Sequence, residues 1–133
     1  MTKAILLSIH PEWAQRIFSG LKILEWRKSV PKFDGTIKVY MYETSPIQKI
    51  TGYFEIVEEE CFVQIEDPLH CDSTNIVFGQ VTREDLANYK GNSKYLYGWR
   101  IHAPQKFKNP KTLADFGLKR PPQSWQYVEV NNG

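Results

Sequence analysis

Residues 3–9, Lys-Ala-Ile-Leu-Leu-Ser-Ile, form a largely apolar run that shows no alternation. A strand with one wet face alternates, whereas a strand buried on both faces reads apolar almost throughout. The run therefore predicts a first strand covered on both sides. It is too short to span a bilayer. His10, Pro11 and Glu12 follow it, where a signal peptide would carry a small-residue cleavage site. The expectation is a cytoplasmic protein that does not engage a membrane. A chain of 133 residues, 41% hydrophobic and 14% aromatic, suits one domain over residues 1–133 with its own core. Its net charge is only +2, so any affinity for nucleic acid must come from a local basic patch.

Pro11 sits where a helix loses nothing by lacking an N–H. Trp13, Ala14 and Ile17 then form an apolar stripe with Phe18 beside it, while Glu12, Gln15 and Arg16 can face water. Gly20 suits the left-handed position that ends a helix. Residues 21–26 read as a second strand, ended before Pro31, and Asp34-Gly35 as a turn. Residues 36–42 alternate as a third strand. Residues 49–58 form a fourth, in which Gly52 marks a bulge or a close backbone approach. The run Glu58-Glu59-Glu60 reads as a solvated strand end, and residues 62–78 as loops with short helical pieces. Thr82 caps a helix through Asn88, with Asp85 in a capping-box-like position. Residues 94–103 are an aromatic-rich strand. Thr112 caps a short turn stopped by Gly117, and residues 125–130 are the last strand. The total is about six strands and two main helices, an α+β chain of small-barrel type.

Residues 20–28 gather an ammonium (Lys22), a carboxylate (Glu25), an indole (Trp26) and a guanidinium (Arg27) just after the first helix. Strand alternation puts Glu25 and Arg27 on one face and Lys22, Leu24 and Trp26 on the other. Lys22 and Glu25 can share a cleft only if Lys22 precedes the regular strand or a bulge rotates it across. Lys22 reads as a phosphate contact or a catalytic amine, against a plain exposed lysine. Glu25 and Arg27 read either as an ion pair ordering a wall or as ligand contacts. Most aromatics in so small a domain are core. Trp125 follows Lys119, Arg120, Pro121, Pro122, Gln123 and Ser124, a mix suited to stacking on a base and bonding its edge. Ser8 and Ser45 could line the same cleft. Ser8 and His10 share a face, but with no acid to orient His10 they read as a polar strand end. Cys61, His70 and Cys71 lack the second ligand pair that zinc takes, so they read as reduced thiols and a surface imidazole. No metal is expected. The chain has no phosphate-loop or dinucleotide motif, and no cofactor is expected.

Gly20, Lys22, Glu25 and Arg27 fall in the order Gly-x-Lys-x-x-Glu-x-Arg. This resembles the signature of the ASCH domain, a branch of the PUA-like superfamily. Leu6-Leu7-Ser8-Ile9-His10-Pro11, Tyr42-Glu43-Thr44-Ser45-Pro46 and Lys119-Arg120-Pro121-Pro122-Gln123-Ser124-Trp125-Gln126-Tyr127 look like one subgroup of that family. The resemblance implies a partly closed β-barrel with flanking helices and binding of RNA or a nucleotide. It also implies, loosely, a regulatory role in transcription or translation. Lys22, Arg27 and Arg120 would then contact phosphate, Gln123, Ser124 and Trp125 a base or ribose, and Glu25 would belong to the same site. A homodimer is compatible with this reading. The alternative is a small hydrolase, since some family members are amidohydrolases of acylated cytidine nucleosides and others are ribonucleases. In the amidohydrolase branch the signature lysine, matching Lys22, is catalytic, and in an enzyme reading Lys22 and Glu25 are the catalytic candidates here. That branch carries threonine where this chain has Glu25, and its downstream catalytic glutamate has no assigned counterpart here.

Overall fold

A computed structural model describes residues 1–60 and 62–131. The apolar run becomes β1 (Thr2–Ile9), and it does lie inside a sheet. With β3 (Thr36–Glu43), β4 (Lys49–Val57), β7 (His102–Lys111) and β8 (Trp125–Val130) it forms a five-stranded sheet in the order β7-β4-β3-β1-β8. β1 runs parallel to β3 and antiparallel to β8. Ile5, Leu7 and Ile9 enter the main core with Ala14 and Ile17 of α1 (Pro11–Phe18). Ala4 and Leu6 enter a second cluster on the opposite face, with Tyr42, Ile50 and Val128. Two covered faces explain why the run does not alternate.

A second, three-stranded sheet has the order β2-β6-β5, from β2 (Leu24–Arg27), β6 (Leu96–Arg100) and β5 (Val63–Ile65). α2 (Ser73–Gly79) and α3 (Arg83–Lys90) complete its core, in which Leu24, Trp26, Ile65, Leu86 and Leu96 are buried. Three 3-10 turns, Glu58–Glu60, Pro68–His70 and Ala114–Phe116, link these parts. Thr82 caps α3 as expected, its hydroxyl accepting from the Asp85 amide at 3.0 Å. Among the described residues, no helix is long and apolar enough to cross a membrane.

The described chain has eight strands rather than six, and its ladders form two sheets rather than one ring. β7 is the main addition. It carries Pro104, Pro110 and three lysines, a composition that argues against an interior strand. As an edge strand it needs only one side of its backbone for the ladder, so the prolines are tolerated. β5 has only three residues, and the 62–78 region gains the helix α2.

Gly52 is the close approach its sequence position suggested. The β4–β7 register shifts beside it. A Cβ there would overlap the Gln105 carbonyl and stand 2.7 Å from the Phe18 ring. Replacing Gly52 with alanine therefore has to push β7 and α1 apart. Gly52→Ala is expected to lower stability by about 1–3 kcal/mol, the usual cost of overpacking. Urea titration followed by tryptophan fluorescence measures this, and a variant as stable as the parent would show that β7 yields freely.

Candidate functional site

α1 ends at Phe18, and Gly20, at φ 85°, turns the chain toward β2. Residues 21–23 lie outside the regular strand, so Lys22 is free of its alternation. Of the two routes that could bring Lys22 beside Glu25, the molecule uses the first: the lysine precedes the strand. Lys22 Nζ stands 3.2 Å from Glu25 Oε1. It also donates to the Gly79 carbonyl at 2.5 Å and lies 5.5 Å from the centre of the Trp13 ring. At 1% exposure it is the most deeply buried charged residue described.

Gly79 is the last residue of α2, where backbone carbonyls have no partner inside the helix. Three neighbours supply them. The Ile23 amide donates to Phe78 O at 2.9 Å, Lys22 Nζ to Gly79 O, and Arg16 Nη1 to Gln80 O at 3.1 Å. Two of these donors are cations, which also suits the negative end of a helix dipole.

The chain of charges continues through Glu25. Its Oε2 accepts from Arg27 Nη2 at 2.6 Å and from Arg27 Nε at 3.1 Å. Arg27 Nη2 donates as well to the Ser8 carbonyl at 2.9 Å, and Nη1 to Ser124 Oγ at 3.2 Å. Ser8 Oγ donates to the Pro122 carbonyl at 2.7 Å, and the Ser8 amide to Ser124 O at 2.9 Å. One hydrogen-bonded line thus joins α2, the segment before β2, β2 itself, β1 and the stretch before β8.

Burial would raise the Glu25 pKa, but Lys22 and Arg27 together hold it below the ordinary value near 4.5. Lys22 faces one anion and has Arg27 and Arg16 as further cations, and burial lowers its pKa from the ordinary value. Glu25 is thus the firmly ionised member of the trio, and Lys22 the one more readily neutralised.

These groups line a cavity of about 660 Å³ with Trp13, Trp26, His10, Thr44, Lys28, Asp85 and Tyr89. That volume lies within the roughly 300–1,000 Å³ range of small-molecule sites. The Trp26 indole lies against Gly79 and Gly98, whose missing side chains make room for it. Its buried Nε1 has no hydrogen-bond partner among the described residues. His10 Nδ1 and Thr44 Oγ1 are 3.3 Å apart at the rim.

Of the residues singled out from sequence, Lys22, Glu25, Arg27, Gln123 and Ser124 come together here, with Ser8. Arg120 and Trp125 are not among the lining residues. Trp125 packs edge-on against Trp99 and Tyr127, with ring centres 5.6 and 5.3 Å away, and its Nε1 donates to Ser29 Oγ at 3.0 Å. Arg120 is exposed. Lys28, Asp85 and Tyr89 form a wall that sequence reading passed over. Asp85 and Tyr89, four residues apart on α3, share a helix face, but nothing in their spacing ties that face to β2. Cys61 lies outside the described residues, and Cys71 Sγ is 3.5 Å from the Pro68 carbonyl.

Removing one partner of this buried trio leaves the others uncompensated. Lys22→Met leaves Glu25 with Arg27 alone and Gly79 O without its cation, and is expected to cost about 3–5 kcal/mol in chemical denaturation. A loss under 1 kcal/mol would contradict the network. The lowered Glu25 pKa means that its contribution is complete above the unfolded value and is lost as pH falls through the folded one. Stability measured against pH below about 4.5 should therefore fall less steeply in Glu25→Gln than in the parent.

Residues 7–111 match the model of the ASCH domain. The chain is 24% identical to ATP synthase subunit alpha of Ureaplasma parvum over 96% of its own length, yet spans only 15% of that protein. It is 31% identical to a Zymomonas mobilis protein named ASCH domain-containing ribonuclease, with 95% of this chain and 84% of that one matched. The crystal structure of ASCH from Zymomonas mobilis is similar at a TM-score of 0.78 and 21% identity, covering 95% of this chain and 87% of that chain. A likeness at that identity speaks for a shared fold alone. The family match over most of the chain and the relative at 31% agree, and the chain belongs to the ASCH domain family.

Proposed function

We propose that this chain binds single-stranded RNA and takes one nucleotide into the cavity behind β2. The observation that carries the reading is the convergence of Lys22, Glu25 and Arg27 with Trp13, Trp26, Gln123 and Ser124 on one nucleoside-sized space. Apolar rings offer faces to a base, and Gln123 and Ser124 offer groups that can bond its edge. The Lys22–Glu25–Arg27 line ties β2 to α2, β1 and the stretch before β8, which holds the walls of the cavity in place for a ligand. The same reading adopts the PUA-like barrel as the way the two sheets enclose a common core, and a regulatory role acting through RNA.

A second reading is favoured by one observation: the relative named a ribonuclease is matched over most of its length. In that reading the bound strand is also cut, and Lys22 is the amine nearest to a usable base because burial lowers its pKa. The acylcytidine amidohydrolase reading uses the same lysine.

Titration of a labelled single-stranded RNA at low and moderate salt tests binding. The expected result is weak binding that declines with salt, by about 0.7 in log K per log salt for each phosphate contacted. A folded protein that binds no RNA at low salt would overturn the reading. Prolonged incubation of the same RNA, resolved on a denaturing gel, separates binding from cleavage. Product formation lost in Lys22→Arg, which keeps a cation but not a usable base, would establish the second reading. Intact RNA with acylcytidine turned over would transfer the site to the amidohydrolases.

A further inference from the structure

The deepest cations of the cavity are already committed to the protein. Lys22 Nζ serves Gly79 O and Glu25, and every nitrogen of the Arg27 guanidinium donates to Glu25, Ser8 or Ser124. A phosphate seated among them would compete with these bonds in a poorly solvated place, beside the Glu25 carboxylate. Asp85, also on the wall, adds a second negative group.

The rim differs. Lys28 is exposed and makes no hydrogen bond or ion pair among the described residues. Its Nζ stands 5.0 Å from the centre of the Tyr89 ring, within cation–π range. Tyr89 is 40% exposed, and its hydroxyl has no hydrogen-bond partner among the described residues. Both residues line the cavity, Lys28 just past β2 and Tyr89 on α3. An exposed ammonium and a partly exposed ring therefore stand together at the mouth, while Lys22, Glu25 and Arg27 in the interior satisfy one another.

Resting on the RNA reading above, we propose that Lys28 and Tyr89 form the entrance. Lys28 contacts a backbone phosphate that stays outside, and Tyr89 stacks on the nucleotide passing in. The substrate class is then a continuous single strand that inserts one base and ribose. A free mononucleotide lacks the neighbouring backbone phosphate and nucleotides that a strand presents at the mouth, and so makes fewer contacts there. The ammonium already poised over the ring favours this pairing, because one cation can serve the ring and a phosphate at once.

The test uses the full chain, a fluorescein-labelled uridine octamer and, as competitor, uridine 5′-monophosphate. Lys28 is exposed, so Lys28→Gln should melt like the parent. It is expected to weaken octamer binding and to reduce the salt slope by about 0.7, the value of one single-strand phosphate contact. Tyr89→Ala is expected to weaken binding roughly 5- to 150-fold, the range of a lost stacking ring, while Tyr89→Phe keeps the ring and most of the affinity. The mononucleotide should compete poorly. If the parent binds the octamer and both Lys28→Gln and Tyr89→Ala, folded, bind it equally well with an unchanged slope, the entrance is wrong and the RNA reading stands. If the parent binds no octamer at low salt, both fall together.

Discussion

A single buried ammonium holds the architecture of this site. Lys22 is 1% exposed, yet it caps the carbonyl end of α2 and neutralises Glu25 in one place. A lone buried charge would be prohibitively unfavourable, so the surrounding groups are arranged around it. Glu25 answers Lys22, Arg27 answers Glu25, and Ser8 and Ser124 answer Arg27. The Glu25–Arg27 step stays within β2, and the steps on either side of it cross to other elements. The two sheets and α2 are thereby fixed against one another around a cavity, rather than by apolar contact alone. A polar line of this kind gives little net stability compared with a hydrophobic equivalent. What it supplies is position: a charged wall in which Lys22, Glu25 and Arg27 are each held by two or more partners.

Much of this was legible in the residues. The unbroken apolar run of residues 3–9 implied a strand covered on both faces, and β1 is one. Thr82 and Gly20 each marked the feature found there, because each satisfies a backbone demand that is local in sequence, and Gly52 marked a close approach whose other side, Gln105 and Phe18, is remote in the chain. Alternation also posed the right question about Lys22 and Glu25, although only coordinates could answer it. What escaped was non-local. β7 looked unlike a strand because its prolines are acceptable only at an edge, and edge position is a property of the whole sheet. Asp85 read only as part of a helix cap, and Tyr89 fell just past a helix expected to end at Asn88, until α3 (Arg83–Lys90) was placed across from β2. Trp125 carried a suggestive neighbourhood, yet its ring is taken up by Trp99 and Tyr127 and its N–H by Ser29.

The arrangement separates two tasks that a nucleic-acid site must combine. Rigid, mutually satisfied charges shape the interior, while uncommitted groups at the mouth remain available to a ligand. Trp26 belongs to both parts. Its ring is clamped by Gly79 of α2 and Gly98 of β6, and its buried N–H has no acceptor among the described residues. Such an orphaned donor is uncommon in folded proteins. It also makes the indole a sensitive reporter of anything that enters.

The four indole N–H groups therefore offer the most direct test of where RNA binds. In a nitrogen–proton correlation spectrum each tryptophan gives one resolved signal, and two of the four rings, Trp99 and Trp125, are not among the lining residues, although both donate to Ser29 at the edge of the cavity, Trp99 to its carbonyl and Trp125 to its Oγ. Adding a short single-stranded RNA should move the Trp13 and Trp26 signals most, since both rings line the cavity, with smaller changes at Trp99 and Trp125. Shifts confined to Trp125, with Trp13 and Trp26 unmoved at saturation, would place the ligand outside the cavity and contradict the account.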